Sequence, residues 1–514
     1  MQKQNLSVIE KFLSAIALVL LTSIFLKAIF DVDTNYDVGW YHLPFAARIW
    51  RIIPAESFVS ENKIEYRYDG FPLLAHFFQG LLWKLTGRIQ TTNLVGYLSL
   101  IIYFSFLRSY FRVPLYLSVI AIFTIPAVLT HAPTSFVDLP GNIGASVVMM
   151  MTYSFFKQSR LPRKGELIVT FLGAAAAANI KPQLQLVVFL VYWIVGIRLI
   201  WLYFKYTKPG KRKLWLTVPL TVVASILIFV TPIKNIALYG NPFYPTKVEI
   251  AGIVLNHQAT PQAYQEGNRP QKWLRSILEI NTPEWSADQS NRSGNQKHLG
   301  RAGGFFGAYV VFNLLLLICL AIREQLQNSG LSQEKVFNAA TALTIMLLVS
   351  VIPANFPQSH ELRYFMFWMI TLVSFNLCLI SSLLSRVTTK YLQPQYFGLI
   401  YLLFFTIVCV KIKKFYLIPD FRSLEVYLQN NINPELINQI SSNERNCIIA
   451  SYVISDPNTS PFTTINRAFY YSSYFHPDLE FDYSIKAALD PQGCGELRVI
   501  PHNADRLLLG NKLN

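Results

Sequence analysis

Three aspartates directly follow the first long apolar segment of the chain, and their spacing suggests acid–base chemistry. Asp31, Asp33 and Asp37 are followed within a few residues by Tyr41 and His42. A carboxylate in such a loop can accept a proton from an attacking hydroxyl or amine. Two other interpretations fit the same spacing: a solvated loop that caps a helix, and an Asp-x-Asp site for a divalent cation such as Mg²⁺ or Mn²⁺. No cofactor is required by these residues.

A second group of candidates is basic and would suit a substrate that carries a phosphate. Lys181, Lys234 and Arg363 lie at the ends of apolar segments. Arginine offers phosphate a planar bidentate fork, and lysine offers a point charge. The ordinary alternatives are snorkelling of the basic side chains towards lipid headgroups and, for Arg363, a local ion pair with Glu361. Asp138, at one of these ends, is a further catalytic candidate beside Asp37 and Asp33. Further candidates for substrate binding are Tyr41, His42, Asn235, Glu361 and Tyr364.

The elements that position these residues belong to a membrane protein, as the composition indicates. The chain has 514 residues, of which 52% are hydrophobic and only 14% are charged, and its mean hydropathy is +0.33. A soluble domain carries roughly 25% charged residues. Too few charges remain here to coat a water-exposed surface, and the same figures exclude a disordered chain, collagen and a small disulfide-rich domain.

We predict an α-helical polytopic membrane protein with about eleven transmembrane helices, because apolar segments recur at lengths near those needed for a ~30 Å hydrocarbon core. The predicted spans are 12–30, 94–107, 115–129, 139–156, 167–179, 184–204, 214–231, 305–322, 336–352, 364–384 and 396–410. The segment 73–85 is shorter and contains His76, Gln79 and Lys84. We expect it to lie at the membrane interface.

The basic residues predict the orientation of these spans. They concentrate in alternate short connections, such as 157–164 and 205–213, which the positive-inside rule assigns to the cytoplasm together with the amino terminus. The formal net charge of +16 is thus spread over many loops, so nucleic-acid binding is not predicted. We expect a multi-pass protein of the plasma (inner) membrane, surrounded by membrane lipids, with its candidate site and carboxy-terminal tail extracytoplasmic.

The candidate residues share the outer ends of the predicted spans. Ion-coupled transporters often place ionisable residues at the membrane midplane instead. A charged layer at one interface suits a site that faces an aqueous acceptor and an anionic headgroup held in the membrane. The predicted domains are a transmembrane domain over 1–414, with outer loops 31–93 and 232–304, and a small soluble α/β domain over 415–514. In that tail, Cys447 and Cys494 are candidates for a disulfide.

The order of these motifs resembles a known family. The acidic first loop running into Tyr-His-Leu-Pro is similar to that of membrane glycosyltransferases of the GT-C superfamily, above all the bacterial branch of protein O-mannosyltransferases and aminoarabinose transferases. Four later stretches also resemble this family in order and side, and the resemblance covers essentially the whole chain. They are Thr134 to Pro140, Asn179 to Pro182, Lys234-Asn235 with Tyr239 to Pro245, and Glu361 to Tyr364.

This resemblance implies a GT-C-like enzyme that moves a hexose or pentose from a polyprenyl-phosphate donor to a lipid, glycan or protein acceptor. The general base of the family matches Asp37, because a tyrosine follows a few residues later, as Tyr41 does here. Many relatives have Asp-Glu at this point, whereas this chain has Asp37-Val38. The second carboxylate is therefore open, with Asp33 or Asp69 as substitutes. Arg363 with Lys181 and Lys234 would hold the phosphate.

Two other functions remain in competition at the sequence level. An O-antigen-type ligase or polymerase also acts on polyprenyl-linked sugars, but it does not need an acidic first loop. A non-enzymatic transporter or flippase of lipid-linked sugars would be expected to show charges in span centres and internal repeats. The acidic first loop and the layer of charge at one interface favour the transferase.

Overall fold

The structure is a computed structural model that describes most of the chain. The described residues are 7–35, 37–53, 62–206, 211–250, 252–258, 267–280, 305–328, 338–383, 393–411, 417–432, 437–438, 446–451, 468–472, 474–476, 485–488, 496 and 498–503.

Helices dominate the described residues, as the sequence predicts. They are α1 Val8–Phe30, α2 Leu43–Ile49, α3 Asn62–Gly70, α4 Leu74–Thr86, α5 Leu94–Phe111, α6 Leu115–Phe123, α7 Pro126–His131, α8 Asp138–Lys157, α9 Lys164–Ile180, α10 Pro182–Tyr206, α11 Lys211–Ile228, α12 Val230–Tyr239, α13 Arg269–Leu278, α14 Phe305–Asn328, α15 Asn338–Asn355, α16 Met366–Leu383, α17 Pro394–Lys411 and α18 Leu424–Asn431. A π-helical turn, Val38–His42, precedes α2, and 3-10 turns at Ile89–Asn93 and Leu362–Phe365 precede α5 and α16.

Within the described residues, six helices are long and apolar enough to cross a membrane, or seven if the bent pair α11–α12 forms one span. They are α1, α10, α14 and α15, together with α5 and α16, each of which is counted with the 3-10 turn that precedes it. The polytopic helical membrane fold predicted from the sequence is therefore confirmed. The other predicted spans also coincide with helices, so the number of about eleven stays a prediction.

Two predicted spans contain breaks that the continuous apolar pattern did not reveal. Residues 115–129 form α6 and α7, separated at Ile125, which is extended with φ −79° and ψ 111°. Pro126 explains this break, because proline has no backbone N–H and disfavours the helical conformation of the residue before it. Residues 214–231 likewise divide between α11 and α12, which meet at an angle of 70°.

Helix α8 forms the centre of the membrane part. Nearly all of its side chains are buried, and it packs against α5, α9, α10 and α16. Its contact with α9 is close because Gly144 faces Gly173: a Cβ built on Gly144 would lie 2.8 Å from the Gly173 carbonyl oxygen. This central position matters for function, since α8 begins at Asp138.

The carboxy-terminal tail contains α18 and a three-stranded parallel sheet. Its strands, β3 Asn446–Ser451, β4 Ile485–Ala488 and β5 Arg498–Asn503, follow the order β4-β3-β5, whereas β1 Glu249–Ile250 and β2 Ile253–Val254 form an antiparallel pair after α12. The tail thus contains a helix and a parallel sheet, but whether it forms the separate α/β domain predicted over 415–514 stays a prediction. Cys494 lies outside the described residues, and so does the predicted disulfide.

The tail packs against the first loop. Val32, Val38 and Trp83 share one apolar cluster with Tyr427 and Phe469 of the tail. Helices α1 and α17 also run in the same direction, as the contacts at their two ends show. Near their starts, the Ser7 hydroxyl lies 2.5 Å from Gln395 Oε1. Beyond the end of α17, the Leu417 carbonyl accepts a hydrogen bond from Ser23, in the later part of α1. The first loop and the tail therefore lie on one side, which requires an odd number of spans.

Candidate active site

Asp37 lies at the entrance of the π-helical turn Val38–His42. Its side chain is 20% exposed, and it precedes Tyr41 and His42, which are both buried. π-helical turns are rare and often occur at functional sites. Burial, followed by the nearby charge of Asp37, raises the pKa of Tyr41 well above its usual value, so that its phenol remains protonated. The turn thus presents one accessible carboxylate beside an uncharged aromatic pair.

Arg363 brings the other end of the chain to this carboxylate. It lies in the 3-10 turn before α16, and its Nη1 is 3.0 Å from Asp37 Oδ2. Its Nη2 donates to the Tyr364 hydroxyl at 3.1 Å, and its Nε is 3.7 Å from Glu361 Oε2. Asn142 of α8 donates to the Arg363 backbone carbonyl at 3.1 Å, which fixes the turn to the central helix.

Asp138 and Lys181 form a second ion pair in the same region. Lys181 Nζ lies 2.8 Å from Asp138 Oδ1, and both side chains are buried, with exposures of 8% and 1%. Burial lowers the pKa of Lys181, and Asp138 opposes that shift. Lys181 Nζ and the Arg363 guanidinium both contact the Tyr364 ring, 4.8 and 4.9 Å from its centroid. Two cations therefore share one aromatic ring.

Asp31 and Asp33 have their oxygens engaged in local structure. Asp31 pairs with Lys27 at 2.7 Å and accepts from the backbone N–H of Asp420. Asp33 accepts from the backbone N–H of Ser135 at 2.7 Å and from Asn35, while burial raises its pKa. These contacts favour a structural role for both. In the part of the chain that is described, no group of three or more His, Cys, Asp or Glu side chains could hold a metal ion.

Lys234 and Asn235 join the second outer loop to α3. Lys234 Nζ donates to the backbone carbonyl of Asp69, and Asn235 Nδ2 donates to that of Gly70 at 2.8 Å. The Tyr244 carbonyl also lies against Gly70, 2.4 Å from where a Cβ would be. The contacts of Lys234 and Asn235 are thus with α3, whereas those of Asp37, Asp138, Lys181, Glu361, Arg363 and Tyr364 connect them to one another.

His42 contacts His76, which belongs to the segment 73–85 that the sequence predicts to lie at the membrane interface. His42 Nδ1 lies 2.8 Å from His76 Nε2, and the two rings stack. Burial lowers the pKa of His42 well below its usual value and that of His76 to about 3. Both imidazoles are therefore neutral at physiological pH, and one proton is shared between the facing nitrogens.

Three further residues lie near the site: Arg67 and Phe136, which were not predicted to belong to it, and His131, whose predicted role was structural or orienting. Arg67 of α3 lies with its guanidinium 4.4 Å from the Trp40 ring centroid and 5.5 Å from that of Tyr41. His131 and Phe136 contact each other on the connection between α7 and α8. A signal was available for Arg67, which stands between two tyrosines in the acidic first loop. Phe136 lies within the stretch Thr134 to Pro140 singled out in the sequence, but nothing there distinguishes its ring from other aromatics.

A long apolar groove begins beside the ion pairs. It has a volume of about 640 Å³ and is lined by α4, α5, α8 and α9. Ala75, Pro140 and Ile180 lie at one end, and Tyr110 and Val169 at the other. Ile180 directly precedes Lys181, and Pro140 lies two residues after Asp138. Asp138 and Lys181 do not line the groove, but they lie next to residues at one end of it, and its lining is almost entirely apolar.

Two crystal structures are similar to this chain, both of ArnT from Cupriavidus metallidurans. One is in the apo state, with 13% sequence identity and a TM-score of 0.47, covering 98% of this chain and 87% of that chain. The other is bound to undecaprenyl phosphate, with 13% identity and a TM-score of 0.42, covering 98% and 88%. No protein-family profile and no curated protein sequence matches the chain.

Proposed function

We propose that this protein is an integral-membrane glycosyltransferase that moves a sugar from a polyprenyl-phosphate donor to an acceptor on the extracytoplasmic face. The observation that carries the proposal is that two ion-paired cations, Lys181 and Arg363, lie in one polar cluster next to one end of an apolar groove. Lys181 and Arg363 supply charge for a phosphate, and the groove supplies an environment for a hydrocarbon chain. A lipid phosphate needs both features side by side.

The groove can hold part of a polyprenyl chain. Its lining follows α5 from Val95 to Tyr110, which corresponds to about 22 Å at 1.5 Å per residue. Because such a chain already lies in the hydrocarbon of the membrane, its transfer into the groove gains little hydrophobic free energy. The groove would instead position the chain so that the phosphate lies beside Lys181.

In the proposed reaction, Asp37 is the general base. The acceptor hydroxyl or amine attacks the anomeric carbon of the sugar while the bond from that carbon to the phosphate oxygen breaks, with inversion. Asp37 takes the proton of the nucleophile, and Arg363 and Lys181 stabilise the charge that grows on the leaving phosphate. Of Asp31, Asp33 and Asp37, Asp37 is the one whose described contact is with a cation of the site. Asp138 would hold Lys181 in place.

Membranes that contain the protein, supplied with radiolabelled polyprenyl-phosphate sugars, test the proposal. Transfer of single sugars onto an acceptor is expected. Polymer or ligated chains would favour a ligase or polymerase instead, and movement of the lipid without new bonds would favour a transporter.

A matched pair of tryptophan variants tests whether the hydrocarbon chain of the donor binds in the groove. Ile102→Trp fills the groove, whereas Ile168→Trp changes a side chain of similar exposure (66% and 56%) outside the groove lining. The donor KM should rise for Ile102→Trp with a long-chain donor and change little with a short-chain one. Equal kinetics for both variants would show that the donor chain lies elsewhere.

A further inference from the structure

Three side chains of the site have no part in proton transfer or phosphate binding as proposed. Phe136 contacts two histidines, with its ring centroid 6.0 Å from that of His42 and 4.9 Å from that of His131. The Arg363 guanidinium lies 6.0 Å from the same ring. Both histidines are buried, at 0% and 4% exposure, whereas Phe136 is half-buried. One aromatic face therefore remains accessible between two buried imidazoles.

The hydrogen bonding of His131 determines which of its nitrogens carries the proton. Nδ1 lies 2.7 Å from the Ala127 carbonyl, which can only accept, so Nδ1 is protonated. Burial lowers the pKa of His131 to about 4, and the ring is therefore neutral with a lone pair on Nε2. That nitrogen is buried and has no hydrogen-bond partner within the described residues. Its chemistry suits a hydroxyl donor and not a phosphate diester, which has no proton to donate.

His42 is a second buried imidazole in contact with Phe136. Its Nδ1 faces His76, and its Nε2 is buried without a partner among the described side chains and backbone groups. A buried polar atom that lacks a partner costs about 1–3 kcal/mol. Two such nitrogens around one half-buried ring are therefore best explained by a ligand that carries several hydroxyl groups.

We propose that Phe136, His131 and His42 form the subsite for the donor sugar, with the ring packing on Phe136 and a hydroxyl donating to His131 Nε2. This inference rests on the proposed function, since it names the part of the donor bound beside the phosphate. Uncharged imidazole nitrogens here, next to the cations Lys181 and Arg363, separate recognition of sugar from recognition of phosphate. The subsite thus selects a lipid phosphate that carries a polyhydroxylated ring over the bare lipid phosphate.

Two substitutions at one position separate this role from a structural one. His131→Asn keeps a donor near the place of Nδ1, for the Ala127 carbonyl, and removes Nε2. His131→Gln places an amide near Nε2. His257→Asn is the matched control, because His257 also bonds a backbone carbonyl through Nδ1, that of Leu255 at 3.0 Å, in the second outer loop.

The experiment compares the Kd of undecaprenyl phosphate with those of undecaprenyl-phosphate-glucose and undecaprenyl-phosphate-mannose, using purified protein in nanodiscs. We expect the preferred sugar lipid to bind wild type about tenfold more tightly than undecaprenyl phosphate, as one buried hydrogen bond would give. His131→Asn should reduce that ratio to near one while its Kd for undecaprenyl phosphate stays unchanged, which also shows that it is folded. His131→Gln should restore part of the ratio, and His257→Asn should match wild type.

Several outcomes would overturn the subsite. They are an unchanged ratio in His131→Asn, an equal loss of affinity for both kinds of lipid, and a wild type that binds lipid phosphates without preferring either sugar. Failure of the proposed function looks different, because wild type would then bind none of these lipids and transfer no sugar. Wild-type transfer together with an unchanged ratio in His131→Asn would remove the subsite and leave the transferase intact.

Discussion

Asp37 Oδ2 lies 3.0 Å from Arg363 Nη1, although the two residues are 326 positions apart in the chain. The contact joins the loop after α1 to the turn before α16. It gives the carboxylate a cationic neighbour. In the proposed reaction the two residues act in one step, Asp37 on the nucleophile and Arg363 on the leaving phosphate.

Asp37→Asn should abolish turnover and leave the protein folded. Removing a positioned base typically lowers the rate 10²–10⁴-fold, and asparagine retains the volume and a hydrogen bond to Arg363. The rate with saturating donor and acceptor measures this. Glu249→Gln is the control, because Glu249 is an exposed carboxylate of the second outer loop and is not a candidate for the site. Near-normal turnover in Asp37→Asn, with Asp33→Asn or Asp138→Asn inactive while folded, would identify another carboxylate as the base.

Arg363→Gln should raise the donor KM and lower kcat, because charge on the leaving phosphate grows in the transition state. Arg363→Lys should recover only part of the activity, since the bidentate fork is lost. Arg269→Gln, at an exposed arginine that bonds the Asn355 carbonyl, is the control. If Arg363 serves only its ion pairs with Asp37 and Glu361, Arg363→Gln would lower stability and leave the donor KM of the folded fraction unchanged.

Lys181 and Asp138 should behave as a buried pair. Removing one partner of such a pair costs about 3–5 kcal/mol, because the other charge is left uncompensated. Lys181→Met and Asp138→Leu should each lower the Tm in detergent, and the double variant should recover most of it without recovering activity. Recovery of both Tm and turnover in the double variant would show that the pair is structural only.

The stability of the protein should fall as pH decreases below about 6.5. His76 has a pKa of about 3 in the fold and about 6.5 in the unfolded chain, so between these values the unfolded state binds more protons and is favoured as pH falls. Each such histidine contributes up to 1.36 kcal/mol per pH unit. His76→Gln should therefore flatten the dependence of Tm on pH between about 6.5 and 4. An unchanged slope would mean that His76 is not held neutral.

The orientation predicts that cysteines introduced on opposite sides react differently with a membrane-impermeant maleimide. Gly267→Cys should be labelled in intact cells, because it lies in the second outer loop. Gly210→Cys should be labelled only after the membrane is opened, because it lies in a strongly basic connection. Labelling of Gly267→Cys from the cytoplasm alone would reverse the orientation and the side assigned to the site.

The packing of the tail on the first loop extends the same test. Trp83 Nε1 donates to the Tyr474 hydroxyl at 3.0 Å, so Tyr474→Cys should react on the same side as Gly267→Cys. Reaction from opposite sides would contradict an odd number of spans.

The sequence by itself determined the class of the protein and most of its helices, because both depend on local composition. Apolar segments of sufficient length form helices in lipid whatever surrounds them. The types of the candidate residues are visible directly in the sequence. Even the break at Ile125 has a local cause in Pro126, although the apolar pattern around it concealed that cause.

Only the tertiary structure decided which candidates meet. It left Asp37 partly exposed while Ser135, 102 positions away, engages Asp33, and it placed Lys234 against α3 and not beside Arg363. It also placed Phe136 in contact with both His131 and His42. Which residues meet depends on contacts between segments that are far apart in the chain. A carboxylate in the interior is stable only beside a hydrogen-bond donor, and that donor can come from any of these segments. No spacing within a loop encodes which donor that will be.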